Sequence, residues 1–442
     1  MIARYFCCLL VLQVLTVGTL LAQPKCKIEH YSTEDGLSHD IITSIFKDSE
    51  GFMWFGTWNG INRFDGQRFV TYKSSPGDQS YFKSPRIDQI IEDDFLQLWI
   101  VGYDGQVYRF NKRTEKLLPL NAIINLPPKR KYAFKRILST RNGRIWIETL
   151  DEGLVLVTSP QTDTSGYYSY QGGSSKEFNL PSNRINFFRE LKDGTIWVGT
   201  EKGLVCLKKD KNGVYKNVME ATFPTGVGYT CMAPMADENA FFFGTSDGRL
   251  LLLQPDGSVS TRPLCNSAIH ALLVSKDDSS LFITTAGGEL YALNYQHGTS
   301  YTIHKLINEP NNALFSIYED RSGYLWVEPQ KDGVIRINPA TAKMKTYKQK
   351  SNARYVFPKD HYTVLEDNQN RIWVSLKGGG FGYYDSVTDK VAYFYNEPGA
   401  PNHLFSNNVG VWYYDPAGLL WIRTDERGVE KITFQKNTFD QQ

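Results

Sequence analysis

The chain has 442 residues, with 49 Lys and Arg against 47 Asp and Glu, and 14% of its residues are aromatic. Because this balance leaves no basic footprint, nucleic acid is not expected as a partner. The six cysteines lack the spacing of a zinc site, so no metal or other cofactor is predicted.

The first predicted element is a secretory signal peptide at residues 1–22. Arg4 supplies a positive charge, an apolar run follows from Tyr5 to Leu21, and Ala22 precedes the expected cleavage point. The mature chain is therefore expected in the periplasm. An uncleaved anchor is the alternative, which the shortness of the run disfavours. Contact with a membrane is otherwise expected only through segments outside this chain.

A repeated unit first occurs at Ile41 to Asp65. An apolar strand ends at Asp48, Gly51 closes a turn, and a second strand surrounds Trp54 before a third strand follows. Three short strands joined by tight turns predict an antiparallel meander. The Asp-x-x-Gly turns are interpreted as structural, because a carboxylate and a residue that tolerates positive φ stabilise a tight hairpin.

The copies of this unit are located by an aromatic residue six positions after an acidic one. The pairs are Asp48/Trp54, Asp93/Trp99, Asp320/Trp326, Asp367/Trp373 and Asp415/Trp421, with the acid replaced in Thr140/Trp146 and Leu191/Trp197 and with Phe242 and Phe282 in two weaker copies. Nine repeats, 40 to 51 residues apart, can be counted. This period, with several strands per repeat, predicts an all-β protein of β-propeller blades.

The repeats are expected to form more than one ring, since propellers usually hold about four to eight blades. We expect a seven-bladed propeller over residues 23–347, with residues 28–33 able to supply a missing outer strand to its last blade. Residues 348–442 would then be two further blades, around Trp373 and Trp421, that start a second, incomplete propeller. A complete second ring would need about five more blades, so the chain is expected to be a fragment of a longer protein.

The repeats resemble a known family. Trp197 to Leu204 reads Trp-Val-Gly-Thr-Glu-Lys-Gly-Leu, which matches the second half of the two-component-regulator propeller repeat. Tyr31 to His39 and Phe64 to Gly66 are similar to the start of sensor ectodomains of bacterial, Bacteroides-type hybrid two-component systems. The resemblance implies an extracytoplasmic domain that senses an oligosaccharide or other small ligand and signals to a histidine kinase region outside this chain. It also allows a homodimer of the full-length sensor.

Two other classes of function stay open. One is a secreted propeller enzyme that acts on polysaccharide as a lyase or glycosidase, and the other is an exported scaffold that binds proteins. No nucleophile, base and orienting group occur in a recognisable arrangement, so no catalytic residue is predicted. An enzyme should show carboxylates, or His, Tyr and Arg, converging in a pocket, whereas a scaffold should show a broad apolar patch.

Tryptophan provides the clue to a ligand site. Seven of the nine lie at the repeat position and Trp412 is assigned to a core by its spacing, but Trp58 falls in a turn on the rim. An aromatic ring among hydrogen-bonding side chains is a common way to contact a sugar. The residues expected with Trp58 around the channel mouth are Asn59, Tyr103, Arg86, Arg184, His39 and Asp40. The alternative is that Trp58 only packs over a neighbouring blade.

Four cysteines remain after the signal peptide. Cys206 and Cys231 fall in neighbouring blades, and export would permit a disulfide between them. Two buried free thiols are the alternative.

Overall fold

A computed structural model describes residues 26–434, apart from 75–81, 127–132, 141–142, 220–221, 296–300, 332, 349–362, 376–380, 395–403, 405, 407–408, 416 and 425–426. The predicted signal peptide and the side chain of Trp412 lie outside the described part. Among the described residues, none of the helices has the length and apolar character needed to cross a membrane.

The first four strands after the N-terminal strand form blade 1, and the next eight form blades 2 and 3. The strands are β1 (Cys26–Tyr31), β2 (Ile42–Lys47), β3 (Met53–Thr57), β4 (Gly60–Phe64), β5 (Phe69–Tyr72), β6 (Ile87–Glu92), β7 (Gln97–Gly102), β8 (Val107–Asn111), β9 (Lys116–Pro119), β10 (Phe134–Ser139), β11 (Ile145–Thr149), β12 (Leu154–Val157) and β13 (Tyr167–Tyr170).

Blades 4 to 6 follow the same plan. Their strands are β14 (Ile185–Glu190), β15 (Ile196–Thr200), β16 (Gly203–Lys209), β17 (Tyr215–Asn217), β18 (Tyr229–Pro234), β19 (Phe241–Thr245), β20 (Arg249–Leu253), β21 (Val259–Pro263), β22 (Ile269–Val274), β23 (Ser280–Thr285), β24 (Glu289–Tyr295) and β25 (Tyr301–Asn308).

Blades 7 and 8 each have four strands, and the chain supplies three more for blade 9. These strands are β26 (Leu314–Glu319), β27 (Leu325–Pro329), β28 (Val334–Ile337), β29 (Met344–Tyr347), β30 (Thr363–Glu366), β31 (Ile372–Ser375), β32 (Phe381–Asp385), β33 (Lys390–Phe394), β34 (Val409–Asp415), β35 (Leu419–Thr424) and β36 (Val429–Phe434). Helix α1 (Leu120–Ile123) and the 3-10 turns Thr33–Asp35 and Lys176–Phe178 complete the described elements.

The nine sheets form one closed ring. All strand pairs within a blade are antiparallel, and β1 completes blade 9 by pairing with β36 in register from Cys26 with Phe434 to Tyr31 with Val429. In the described part of the chain, nine apolar clusters join successive blades, including one that joins blade 9 to blade 1. Trp421 of blade 9 contacts the ring of Phe55 in blade 1 at a centroid distance of 5.2 Å.

The all-β propeller is therefore as predicted, but the expected seven-bladed ring at 23–347 with two blades of a second ring at 348–442 is wrong. Blade 7 already has its own outer strand, β29, so the N-terminal strand completes blade 9 instead. Lys47 of blade 1 pairs with Asp415 of blade 9 at 2.5 Å, which adds a charge contact at the closure. The repeat sequence defines each blade, whereas the angle between packed blades decides how many close a ring.

Trp373 belongs to the region that was predicted to start a second ring. Its side chain is fully buried in the apolar cluster between blades 8 and 9, with its ring centroid 4.5 Å from that of Phe434. Phe434 in turn lies opposite Cys26 of β1. Trp373 is thus a repeat residue in the second strand of its blade, as predicted, but its assignment to a separate propeller is wrong, because its packing partners belong to the single closed ring.

The second strand of a blade carries the predicted aromatic residue, and in four blades a carboxylate bonds it. Trp54 is fully buried, and its indole Nε1 donates to Asp48 Oδ2 at 2.8 Å. The same bond joins Trp99 to Asp93 at 2.8 Å, Trp326 to Asp320 at 2.9 Å and Trp373 to Asp367 at 2.9 Å. The six-residue spacing thus has a physical cause, because the turn that closes the first hairpin brings the carboxylate onto the indole N–H.

The first strand of most blades carries a β-bulge one residue from its start. In four blades the side chain at the bulge donates a hydrogen bond to the carbonyl of the first residue of the next blade's first strand. The donors and acceptors are Asn186 and Tyr229 (2.9 Å), Thr230 and Ile269 (2.6 Å), His270 and Leu314 (2.9 Å), and Thr43 and Ile87. These hydrogen bonds link the inner strands of neighbouring blades.

Cys206 and Cys231 are free thiols, so the disulfide alternative is not present in the structure. Burial raises the pKa of Cys206 to about 11 and that of Cys231 to about 12. Both side chains therefore act as small apolar groups in the core at neutral pH.

Candidate functional site

One rim of the ring is built from a turn that recurs in blades 1 to 7. The turn joins the second and third strands, and the N–H of its first residue, here termed the rim position, donates to the carbonyl of the residue before the first strand or at its start. The bonds are Trp58 to Ile41, Tyr103 to Arg86, Leu150 to Ala133, Glu201 to Arg184, Ser246 to Gly228, Ala286 to Ala268 and Gln330 to Ala313. Side chains at the seven rim positions are therefore comparable.

Blades 1 to 3 carry large apolar side chains at the rim position, and these remain exposed to solvent. The exposed fractions are 38% for Trp58, 64% for Tyr103 and 53% for Leu150. These three residues are termed the rim strip. The next residue in each turn can form hydrogen bonds, since it is Asn59, Asp104 or Asp151. The rim strip is thus an apolar line with a polar side chain beside each member.

Arg86 lies between the two aromatic rings of the rim strip. Its Cζ atom is 3.6 Å from the Trp58 ring centroid and 4.5 Å from the Tyr103 centroid. Arg86 Nε is buried and has no acceptor among the described residues. Cation–π contacts of this kind contribute about 0.5–2 kcal/mol. Arg86 therefore orients both rings and covers one face of each.

The side chain of His39 approaches Trp58 from the N-terminal segment. The two ring centroids are 5.9 Å apart, and His39 Nδ1 accepts a hydrogen bond from the N–H of Ile41 at 3.0 Å. Asn59 Nδ2 donates to the carbonyl of Ser38 at 3.3 Å. Trp58 is consequently held between neighbours, while Tyr103 is the freer ring for a ligand.

Two of the residues expected with Trp58 have other contacts. Asp40 accepts from the N–H of Thr33 at 2.7 Å, so its carboxylate fixes the N-terminal segment. Arg184 pairs with Asp151 at 3.3 Å and with Glu201 at 3.7 Å, which joins blades 3 and 4. The structure therefore brings His39, Trp58, Asn59, Arg86 and Tyr103 together, and it places Arg184 at the far end of the rim strip.

The ligand residues predicted from the sequence do not include Leu150, Asp88 or Asp104. Trp58 and Tyr103 each precede the turn glycine by two residues, but Leu150 precedes Gly153 by three. Because this turn is longer, the sequence alone does not show that Leu150 occupies the same rim position as Trp58 and Tyr103. Burial raises the pKa of Asp88, which Asp104 also raises and Arg86 opposes. Asp104 lies beside Tyr103 in the turn and adds a carboxylate to this part of the rim.

Two clefts lie away from the rim strip. One, of about 470 Å³, is lined by Leu191, Trp197, Cys206 and other residues of blades 4 and 5, and the other, of about 500 Å³, includes Cys265, Glu289 and Lys305. Within the described ranges no group of three His, Cys, Asp or Glu residues has the arrangement of a metal site.

Comparison with a family model described as the two component regulator propeller gives matches at residues 36–59 and 179–202. The two stretches include the turn around Trp58 in blade 1 and the Trp197 motif of blade 4. This match confirms the predicted resemblance to two-component-regulator propeller repeats.

Known proteins resemble this chain over different lengths. Histidine kinase P4 of Formosa agariphila is 41% identical over 46 residues, which are 10% of this chain and 3% of that protein. The extracellular domain described as that of hybrid two component system BT3049 of B. thetaiotaomicron is 20% identical, with a TM-score of 0.38 and coverage of 95% of this chain. The Dos1 propeller is 10% identical over 93% of this chain and 95% of its own, with a TM-score of 0.53, which shows the propeller fold.

The chain is shorter than the sensor domain that it resembles. It spans 61% of the BT3049 domain and a small part of the kinase. The chain is thus a nine-bladed propeller whose repeats resemble those of two-component regulators.

Proposed function

We propose that this propeller is the ligand-sensing part of an extracytoplasmic two-component sensor, and that the rim strip binds an oligosaccharide. The match to two-component-regulator repeats supports the class of function. The observation that supports a sugar ligand is the exposed ring of Tyr103, which Arg86 holds in place beside Trp58.

The chemistry of the rim strip suits a sugar. A pyranose ring has an apolar face of C–H groups, which packs on an aromatic ring, and an edge of hydroxyls, which needs hydrogen bonds. Tyr103 offers the apolar surface and the adjacent Asp104 a carboxylate, while Asn59 adds a polar group beside Trp58. Because Arg86 fixes the rings before binding, little side-chain entropy is lost when the sugar arrives.

A route for the signal follows from the position of the N-terminal segment. His39 contacts Trp58, and the carbonyl of the adjacent Asp40 accepts from the N–H of Gly428 in blade 9 at 2.8 Å. The rim strip is thus in contact, through Trp58, with the segment that joins the first and last blades. Binding would favour one arrangement of this closure over another and bias the kinase region, which lies outside this chain.

Glycan binding by the purified protein tests this proposal. On an array of plant and microbial oligosaccharides, the unmodified protein should bind a defined set, and Tyr103→Ala should weaken binding at least about tenfold. The melting temperature should fall by only about 1–3 °C, since the side chain is exposed and loses little more than its contact with Arg86. Gln330→Ala, at the rim position of blade 7, is the matched control and should bind normally.

Three results would contradict the proposal. They are the absence of glycan binding by folded protein, equal binding by Tyr103→Ala, and time-dependent cleavage of the bound glycan. Cleavage would favour the polysaccharide enzyme, which is the alternative from another class.

A further inference from the structure

Leu150 extends the candidate site to a third blade. Its N–H bonds the carbonyl of Ala133 at 2.9 Å, as that of Tyr103 bonds Arg86, so the two side chains occupy equivalent places on the rim. Leu150 is half exposed and is followed by Asp151, just as Tyr103 is followed by Asp104. An apolar group with a polar neighbour is therefore repeated in three consecutive blades.

The pattern stops at blade 4. The rim positions of blades 4 to 7 hold Glu201, Ser246, Ala286 and Gln330, which offer no large apolar surface. Arg184 closes this end of the rim strip by pairing with both Asp151 and Glu201. A single sugar would occupy one blade and leave the other two unused, whereas a ligand that itself repeats would use all three.

Carboxylates accompany two members of the rim strip. Asp104 directly follows Tyr103, and Asp151 directly follows Leu150. Arg184 pairs with Asp151 and also with Glu201. Arg184 is engaged by two carboxylates, and the Arg86 cation is covered by the rings. An acidic saccharide would thus meet like charge, which costs binding energy.

Resting on the proposed function, we infer that the ligand is an extended, uncharged oligosaccharide of at least three units, which lies across blades 1 to 3. Leu150 packs against the third unit, and Asp151 accepts from one of its hydroxyls. Tyr103 holds the central unit.

Titration calorimetry with neutral oligosaccharides of one to six units, derived from cellulose, xylan, mannan and arabinan, tests this inference. Affinity for the bound series should increase up to at least three units. Leu150→Ser should weaken binding of three units and longer about fivefold, because about half a leucine side chain is lost from the contact, and leave two units unchanged. Gln330→Ser is the matched control and should keep the full dependence on length.

The outcomes separate the inference from the proposed function. Equal affinity for one and six units, no effect of Leu150→Ser, or tighter binding of oligogalacturonates would overturn the inference and leave a glycan sensor in place. Failure of every neutral and acidic glycan to bind folded protein would defeat the proposed function itself.

Discussion

At the scale of single residues, Asp320 shows why an acidic residue occurs six positions before the core tryptophan. Its Oδ1 accepts from the N–H groups of Ser322 at 2.9 Å and Tyr324 at 3.0 Å, and its Oδ2 accepts from Trp326 Nε1 at 2.9 Å. One buried carboxylate therefore satisfies three donors in the turn. Hydrogen bonds to a charged group contribute about 1.5–3 kcal/mol.

Replacement of this carboxylate should destabilise the protein strongly. Asp320→Ala leaves the donors of Ser322, Tyr324 and Trp326 without their acceptor, so the free energy of unfolding should fall by about 3 kcal/mol in urea denaturation. Asp210→Ala is the control, because Asp210 accepts from Asn212 and Val214 in an exposed turn and contacts no indole. Its removal should lower stability clearly less than that of Asp320, because water can replace the lost bonds in an exposed turn. Equal losses in the two variants would contradict this account.

Blades without this bond leave the indole N–H unsatisfied. Nε1 of Trp146, Trp197 and Trp421 is buried and has no acceptor among the described residues. In blade 3 the position of the acid is held by Thr140. The sequence showed the replacement, but only the structure shows that no other described group takes over the bond.

Restoring the acid in blade 3 should therefore stabilise the protein. Thr140→Asp places an acceptor opposite Trp146 Nε1, as Asp93 does for Trp99, and should raise the free energy of unfolding by about 1 kcal/mol at pH 7. Thr140→Val, with a similar shape and no acceptor, is the control. A fall in stability for the Asp variant below that of the Val variant would show that desolvation outweighs the new bond.

At the scale of elements, a charged cluster joins blades 7 and 8, where the sequence predicted a boundary between two rings. Asp389 accepts from Lys345 Nζ at 2.6 Å, Tyr347 OH at 2.5 Å and Tyr384 OH at 3.0 Å. The hydrogen bond from Lys345, followed by that from Tyr347, lowers the pKa of Asp389 to about 2. The two blades thus share a polar contact as well as the apolar cluster around Trp326.

This cluster predicts a pH dependence. Because the folded pKa of Asp389 lies below its ordinary value of 3.8, the added stability is present above about pH 4 and is lost as pH falls toward 2. Asp389 is 49% exposed, so the contribution should stay below about 1 kcal/mol. The difference in unfolding free energy between the unmodified protein and Asp389→Asn should shrink over this interval, and a constant difference would refute the assignment.

The strands were more predictable than their assembly. The aromatic residues from Trp54 to Trp421 each fall in the second strand of a blade, because the turn signal and the alternation of buried residues are local. The contacts of Trp421 with Phe55 and of Trp373 with Phe434 are between blades and have no pattern of their own. The ring was therefore divided wrongly at residue 347, although its blades were placed correctly.

The candidate site was predictable in part for the same reason. Trp58 and Tyr103 were found because their turns have the same length, and Arg86 because it directly precedes an inner strand. Leu150 was missed because an additional residue lengthens its turn, and a leucine in a loop gives no chemical signal. Arg184 also directly precedes an inner strand, but its position in the repeat does not reveal that it pairs with Asp151.

At the scale of the whole molecule, Tyr31 lies at the point where the ring closes. Its ring centroid is 5.1 Å from that of Phe64, 5.7 Å from Phe69 and 6.0 Å from Trp421. One side chain on β1 thus packs on both blade 1 and blade 9. Aromatic pairs of this kind contribute about 0.5–1.5 kcal/mol each beyond the area that they bury.

Removal of this side chain should loosen the two blades together. Tyr31→Ala is expected to lower the free energy of unfolding by about 3 kcal/mol. Hydrogen exchange should show loss of protection in β2–β5 and in β34–β36, while β18–β21 of blade 5 stay protected as an internal reference. Loss of protection in blade 9 alone would mean that the closure does not couple the two blades.

The pairing of β1 with β36 also determines when the ring can close during synthesis. Cys26 leaves the ribosome about 400 residues before its partner Phe434, which at about 5–20 residues per second corresponds to about 20–80 s. During this interval β1 has no partner, and its free edge can pair with another chain. Because a contact of this sequence separation closes slowly, refolding should be slow and should lose yield as protein concentration rises.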